Sequence, residues 1–105
     1  MSNVVELKAP QPRRLSRQQF LEKARAMVDR GEIMVSRHLA RDHPERAISQ
    51  AMIERCIQRG TCQCDPYING YGNWQSEIFR HLAGQELTVV AAIEWETQVI
   101  VITAY

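Results

Sequence analysis

Between Ser36 and Ser49 the chain reads Ser-Arg-His-Leu-Ala-Arg-Asp-His-Pro-Glu-Arg-Ala-Ile-Ser, fourteen residues holding two histidines, three arginines and two acids. If residues 37–43 form a short helix, His38, Arg41 and Asp42 stand at i, i+3 and i+4 and share one face. That sets an imidazole titrating near neutral pH beside a fixed cation and a carboxylate able to orient the ring. Such a trio can position a phosphate and move a proton. The same spacing also describes a short solvated helix whose charges pair with one another.

The elements that must hold this stretch are legible on either side of it. Ser16 and Gln19 fit a capping box and Leu15 and Phe20 a hydrophobic staple. Phe20, Leu21, Ala24, Met27 and Val28 then recur at helical spacing, with Gly31 as the stop. Ile33–Val35 reads as a short extended link, and Pro44 ends any helix from Ser36 at His43. A second helix begins at Ser49, with Met52, Ile53, Cys56 and Ile57 as its apolar stripe and Gly60 as its stop; Arg55 and Arg59 fall off that stripe and are expected in solvent.

From residue 61 the period changes to that of strands. Thr61–Ile68 reads as one strand, Asn69-Gly70 and Gly72-Asn73 as turn signals, and Gln75–Leu82 as the next strand, ended by Ala83-Gly84. Leu87–Trp95 and Gln98–Ala104 follow as a hairpin. The unbroken run Val99–Ile102 suits a central strand covered on both faces. Helices first and an antiparallel meander after them predict an α+β domain over residues 15–105. Residues 1–14, with Pro10, Pro12, Arg13 and Arg14, read as a flexible N-terminal arm.

The chain of 105 residues is 45% hydrophobic, enough for a modest core, and its net charge of +1 sets up no global field toward nucleic acid or membrane. The charge is unevenly spread. Ten of the eleven arginines precede residue 61, and residues 86–105 hold no cation. Arginine favours forked contact with carboxylate or phosphate, although a GC-rich genome also enriches it. No run suits a membrane span or a secretory signal, so the expected compartment is the cytoplasm. Cys56, Cys62 and Cys64 do not make a closed disulfide framework, and no second pair completes a zinc-site spacing; reduced thiols and no metal are expected.

Ser36 and His38, then Arg46, Ile48-Ser49, an amphipathic helix ending at Gly60, the strand Leu87-Thr88-Val89-Val90 and a terminal Ile102-Thr103-Ala104-Tyr105 occur in an order that resembles a family of small bacterial proteins. That family is catalogued as a domain of unknown function and grouped with the barnase, EndoU, colicin and RelE-like ribonuclease toxins. The resemblance covers residues 33–105. It implies two N-terminal helices plus a short connecting helix, packed on a curved, four-stranded antiparallel sheet. It implies a toxin-like, nucleic-acid-interacting protein, in its sharpest form a metal-independent endoribonuclease of toxin–antitoxin type, without cofactor. RNA is the expected partner ahead of DNA, with an antitoxin protein and a homodimer as further partners. The alternative is a non-catalytic nucleic-acid- or partner-binding homodimer on the same scaffold.

Carried onto this sequence, the family's helix histidine is His38, its following arginine Arg46 and its last-strand hydroxyl Thr103; Arg41 falls where members often carry a basic residue. Metal-free RNA cleavage needs a base for the 2′-hydroxyl, an acid for the leaving oxygen and a cation for the phosphate. The expected catalytic set is therefore His38, Arg46 and Thr103, with Arg41, Arg80, His81, Tyr67 and Tyr71 binding substrate. The tyrosines flank the glycine-rich turn and offer faces for base stacking, as well as ordinary strand-end packing. Glu86, Glu94 and Glu96 depart from the basic sheet such toxins present, which lowers the expected affinity for RNA.

Overall fold

The computed structural model describes residues 10–36, 39 and 44–105. Helix α1 (Arg17–Asp29) starts where its capping box predicts: Ser16 Oγ accepts from the Gln19 backbone N–H at 3.0 Å, and Gln19 Oε1 accepts from the Ser16 N–H at 2.9 Å. Ser16→Ala should lower stability by about 1 kcal/mol, read as a drop in urea midpoint at unchanged slope. The helix buries Phe20, Ala24, Met27 and Val28. Helix α2 (Gln50–Arg59) is capped by Ser49, whose Oγ accepts from the Met52 N–H, and buries Ile53, Cys56 and Ile57. Arg25 of α1 joins the pair. Its Nε and Nη2 donate to the carbonyls of Ile57 and Gly60 at 3.0 and 2.8 Å, satisfying the C-terminal end of α2.

Both helices lie on one face of an open sheet. Among the described residues it holds six strands: β1 (Ile33–Val35), β2 (Thr61–Cys62), β3 (Tyr67–Ile68), β4 (Trp74–Leu82), β5 (Gln85–Glu94) and β6 (Gln98–Ala104). The order is β1-β6-β5-β4-β2, with β3 also paired to β4. The α+β class stands, but the four-stranded antiparallel sheet does not. Ile33–Val35 is more than a link: it pairs in parallel with β6, Met34 opposite Ile100, which makes the sheet mixed. Thr61–Ile68 is two short strands, because Pro66 and the bend at Cys64 interrupt the ladder.

Alternation along the long strands divides the faces. Ile78, Val89, Ala91, Ile93, Val99 and Val101 meet the helices and are fully buried, forming the core with Phe20, Met27 and Ile53. A bulge in β6 between its pairings with Val90 and Ala91 shifts the register, so that Thr103 faces Val90 and Ala104 returns to the core. The run Val99–Ile102 is not covered on both faces, since both helices sit on one side: Ile100 is half-buried and Ile102 is exposed. Trp95 packs against the core edge, with Lys23 Nζ 4.5 Å above its ring. Residues 11 and 12, assigned to the arm on sequence, are tied down: Gln11 donates to Gly72 O at 2.9 Å, and the Trp74 indole donates to Pro12 O at 3.0 Å.

Cys56 shows how tightly α2 is seated. Its thiol points at the carbonyls of Ile78 and Leu87, and burial pushes its pKa up to about 11 from the ordinary 9.0. The folded state therefore holds this proton more tightly than the unfolded chain. Stability is unaffected below pH 9 and falls as pH rises from 9 toward 11, by on the order of 2 kcal/mol. Cys56→Ala should flatten that alkaline limb in denaturant titrations.

Candidate functional site

Of the expected residues, His38 and Arg41 lie outside the described residues, as does Asp42. Their described neighbours are fixed. Leu39 is 7% exposed and belongs to the core, and Ser36 N–H donates to Val101 O on β6. On the far side the chain returns as a 3₁₀ turn, Pro44–Arg46. Ala47 then adopts a left-handed conformation (φ 47°), which costs an alanine about 1 kcal/mol and redirects the chain into the Ser49 cap. Arg46 is left facing the β4–β5 hairpin, where its guanidinium donates to the Glu86 carbonyl. Tyr105 pairs with Thr88, two residues further along this edge of β5.

Around Arg46 a cleft opens. Glu45, Arg46, Met52 and the hairpin residues Gly84–Glu86 line a depression of about 450 Å³. A second, of about 130 Å³, adjoins it through Met52 and Gln85 and is lined also by Arg55, Arg80 and Leu87. Arg80 points to this side because its cross-strand partner Leu87 is buried under α2. Arg55 reaches it from α2, one turn beyond Met52. Three guanidinium groups from three elements thus border two depressions that share Met52 and Gln85, Arg46 on the larger and Arg55 and Arg80 on the smaller, and among the described residues neither Arg55 nor Arg80 is paired with a carboxylate. Guanidinium groups flanked by backbone and a thioether have the chemistry to hold an oxyanion. Glu45 is the acid on the wall of the larger depression beside Glu86.

Arg55 is exposed, as its position off the apolar stripe predicts; that it also borders a depression is not read from the sequence. The available signal is its place at i+3 from Met52, at the margin of the stripe and not opposite it.

The other expected residues do not join the cleft. Thr103 sits on the helix-free face opposite Val90, four residues along β5 from Glu86, roughly 13 Å from the carbonyl that anchors Arg46. His81 and Arg80 are strand neighbours and so point to opposite faces; His81 lies on the helix-free side, its Nδ1 3.7 Å from Glu86 Oε1, with both side chains exposed. Tyr67 and Tyr71 are on that face too, at its other end. The Tyr67 hydroxyl accepts from Gln75 at 2.6 Å, and Tyr71 stands 92% exposed on a loop pinned by Asn69, whose Oδ1 accepts from the backbone of Tyr71 and Asn73.

That loop overhangs a second cavity, of about 700 Å³, floored by Ala92, Ile100 and Ile102 and edged by Gln75 and Glu94. The helix-free face carries Glu77, Glu86 and Glu94 and no lysine or arginine among the strand residues that alternate onto it. A phosphate chain would be repelled there.

Among the described residues no three His, Cys, Asp or Glu side chains gather to hold a metal ion, and no helix is long and apolar enough to cross a membrane. Comparison of the chain with protein-family models, curated proteins and solved structures gives no match.

Proposed function

We propose that this protein is a toxin-like, RNA-interacting domain that holds phosphate on Arg46, Arg55 and Arg80, with metal-independent cleavage as the sharper form of that activity. The placement of three guanidinium groups around two adjoining depressions that share Met52 and Gln85 carries the reading. The turn that forms one wall of the cleft, Pro44–Arg46, ends the segment bearing His38 and Arg41, so the titratable group and the clamp are close in sequence. In a cleavage step His38 would take the 2′-hydroxyl proton as that oxygen bonds to phosphorus and, now protonated, pass a proton to the leaving 5′-oxygen as its bond to phosphorus breaks, while the arginines hold the charge on the non-bridging phosphate oxygens. Thr103 has no part in this arrangement. RNA fits ahead of DNA because only its 2′-hydroxyl makes such a metal-free displacement available. An antitoxin, in this reading, is a protein that covers the cleft.

A second reading rests on the helix-free face. Met34, Tyr67, Ile102 and Tyr105 are 47%, 49%, 39% and 42% exposed on it, around an apolar cavity. Such a surface suits a protein partner or a second copy of the chain, and a binding role without turnover.

Purified protein incubated with total RNA in EDTA separates these. Cleavage that is lost in His38→Ala and in Arg46→Ala supports the nuclease. Salt-sensitive retention of RNA without cleavage supports a non-catalytic RNA binder. No retention at low salt rejects RNA and leaves the helix-free face as the functional surface.

A further inference from the structure

Strand β4 turns Trp74, Ser76, Ile78 and Arg80 toward the helices. Ser76 is fully buried, the only buried polar side chain among the described residues. Its neighbours on that side are Trp74 and Ile78, and its cross-strand partner is Ala91, so packing alone would be served by alanine. The hydroxyl has one proton and two lone pairs. The proton goes to the Cys64 carbonyl at 2.7 Å. Facing the oxygen are two sulfurs, Cys62 Sγ at 3.1 Å and Cys64 Sγ at 3.2 Å.

The two thiols therefore meet over a single oxygen atom, at the end of β2 and on the bend that follows it. Both are half-buried and within reach of a small solute, whereas Cys56 is sealed in the core. Burial raises the Cys62 pKa, offset in part by the hydrogen bonds with Ser76 and the Cys64 backbone and least by the Arg17 guanidinium. Ser76 thus ties the Cys64 carbonyl and both thiols together, and Cys62 Sγ reaches the same carbonyl at 3.3 Å.

We infer that Cys62 and Cys64 form a reactive dithiol site that hydrogen peroxide closes to an intrachain disulfide. One thiolate attacks a peroxide oxygen: an S–O bond forms, the O–O bond breaks, and the departing hydroxide takes a proton to become water. The second thiol then attacks the sulfenic sulfur. The S–S bond forms, the S–O bond breaks, and a second water leaves with the remaining thiol proton. Two thiols are oxidised by two electrons and one peroxide is reduced to two waters. The site is independent of the arginine cleft and of what it binds.

The test is mass spectrometry and thiol titration of the folded, full-length protein before and after hydrogen peroxide. The expected product has lost two hydrogens, retains one titratable thiol (Cys56) and regains all three with dithiothreitol; peptide mapping places the bond between Cys62 and Cys64. Cys62→Ser and Cys64→Ser should each block the loss of two hydrogens and leave a sulfenic acid that dimedone traps on the remaining partner. Ser76→Ala, which keeps both cysteines but removes their shared anchor, should slow closure roughly tenfold. Three free thiols after peroxide, stepwise gain of oxygen to sulfinic acid, or cross-linking between chains would each overturn the inference.

Discussion

Exchanging Arg46, Arg55 and Arg80 together for glutamine should weaken binding of a single-stranded RNA oligonucleotide roughly a thousandfold at low salt, at about 1.5 kcal/mol for each charge-assisted hydrogen bond removed. The fold should survive. Arg55 is exposed on α2 and Arg80 makes no ion pair among the described residues, so their stems and not their charges matter to packing. Arg46 loses its bond to the Glu86 carbonyl, a group at the hairpin end that water can reach, which costs about 1 kcal/mol. Arg59→Gln is the matched control. It removes a cation from the same helix, but from the end near Arg25 and Asp29, away from the cleft. Binding by that variant should stay within about twofold of the parent, because a single exposed charge contributes little at a distance.

The largest effect on stability should come from Gly60→Ala. Gly60 has an ordinary backbone conformation (φ −83°), so what it supplies is space. A Cβ there would stand 2.5 Å from both Cys56 O and Phe79 O and 2.9 Å from Ile78 Cγ2. Two of those atoms are backbone, in the last turn of α2 and in β4, and neither can swing aside. Relief requires moving the helix off the sheet just where Arg25 clamps its last carbonyls. The destabilisation should reach about 3 kcal/mol, the upper end of overpacking, seen as a lower thermal midpoint and an earlier urea transition. Gly31→Ala would meet no atoms within 4 Å but would strain a φ of 75°, and should cost only about 1 kcal/mol.

These two sites also show what can be read in advance. Gly60 is legible as a helix stop because it follows an amphipathic stripe, and the capping residues Ser16, Gln19 and Ser49 do what their spacing predicts. Local chemistry of this kind is carried by residues close in sequence. The sheet is harder. Val99–Ile102 looks doubly covered because an apolar run has no alternation to reveal a bare face, and the bulge that puts Ile102 and Thr103 on the same side of the sheet has no sequence signature. The parallel pairing of Ile33–Val35 with β6 joins segments more than sixty residues apart, and three residues are too few for a period to declare itself.

The same limit shapes the site. Arg46 and Arg80 are legible as candidates, and they border adjoining depressions because the register with Leu87 turns Arg80 toward α2. Thr103 is expected beside them and lies on the other side of the sheet, where strand parity decides. Parity follows from the register, and the register is not in the pattern of residues. Arg55 goes unnoticed for the converse reason: an exposed helix arginine gains meaning only from the hairpin that comes to lie beside it.

The salt dependence of RNA binding tests the arginine cleft most directly. Three phosphate contacts to single-stranded RNA should give log K a slope against log salt of about −2 for the parent protein, falling close to zero in the triple glutamine variant. Equal slopes and equal affinities for the two proteins, or no measurable binding by the parent at low salt, would contradict the assignment of Arg46, Arg55 and Arg80 as a phosphate clamp.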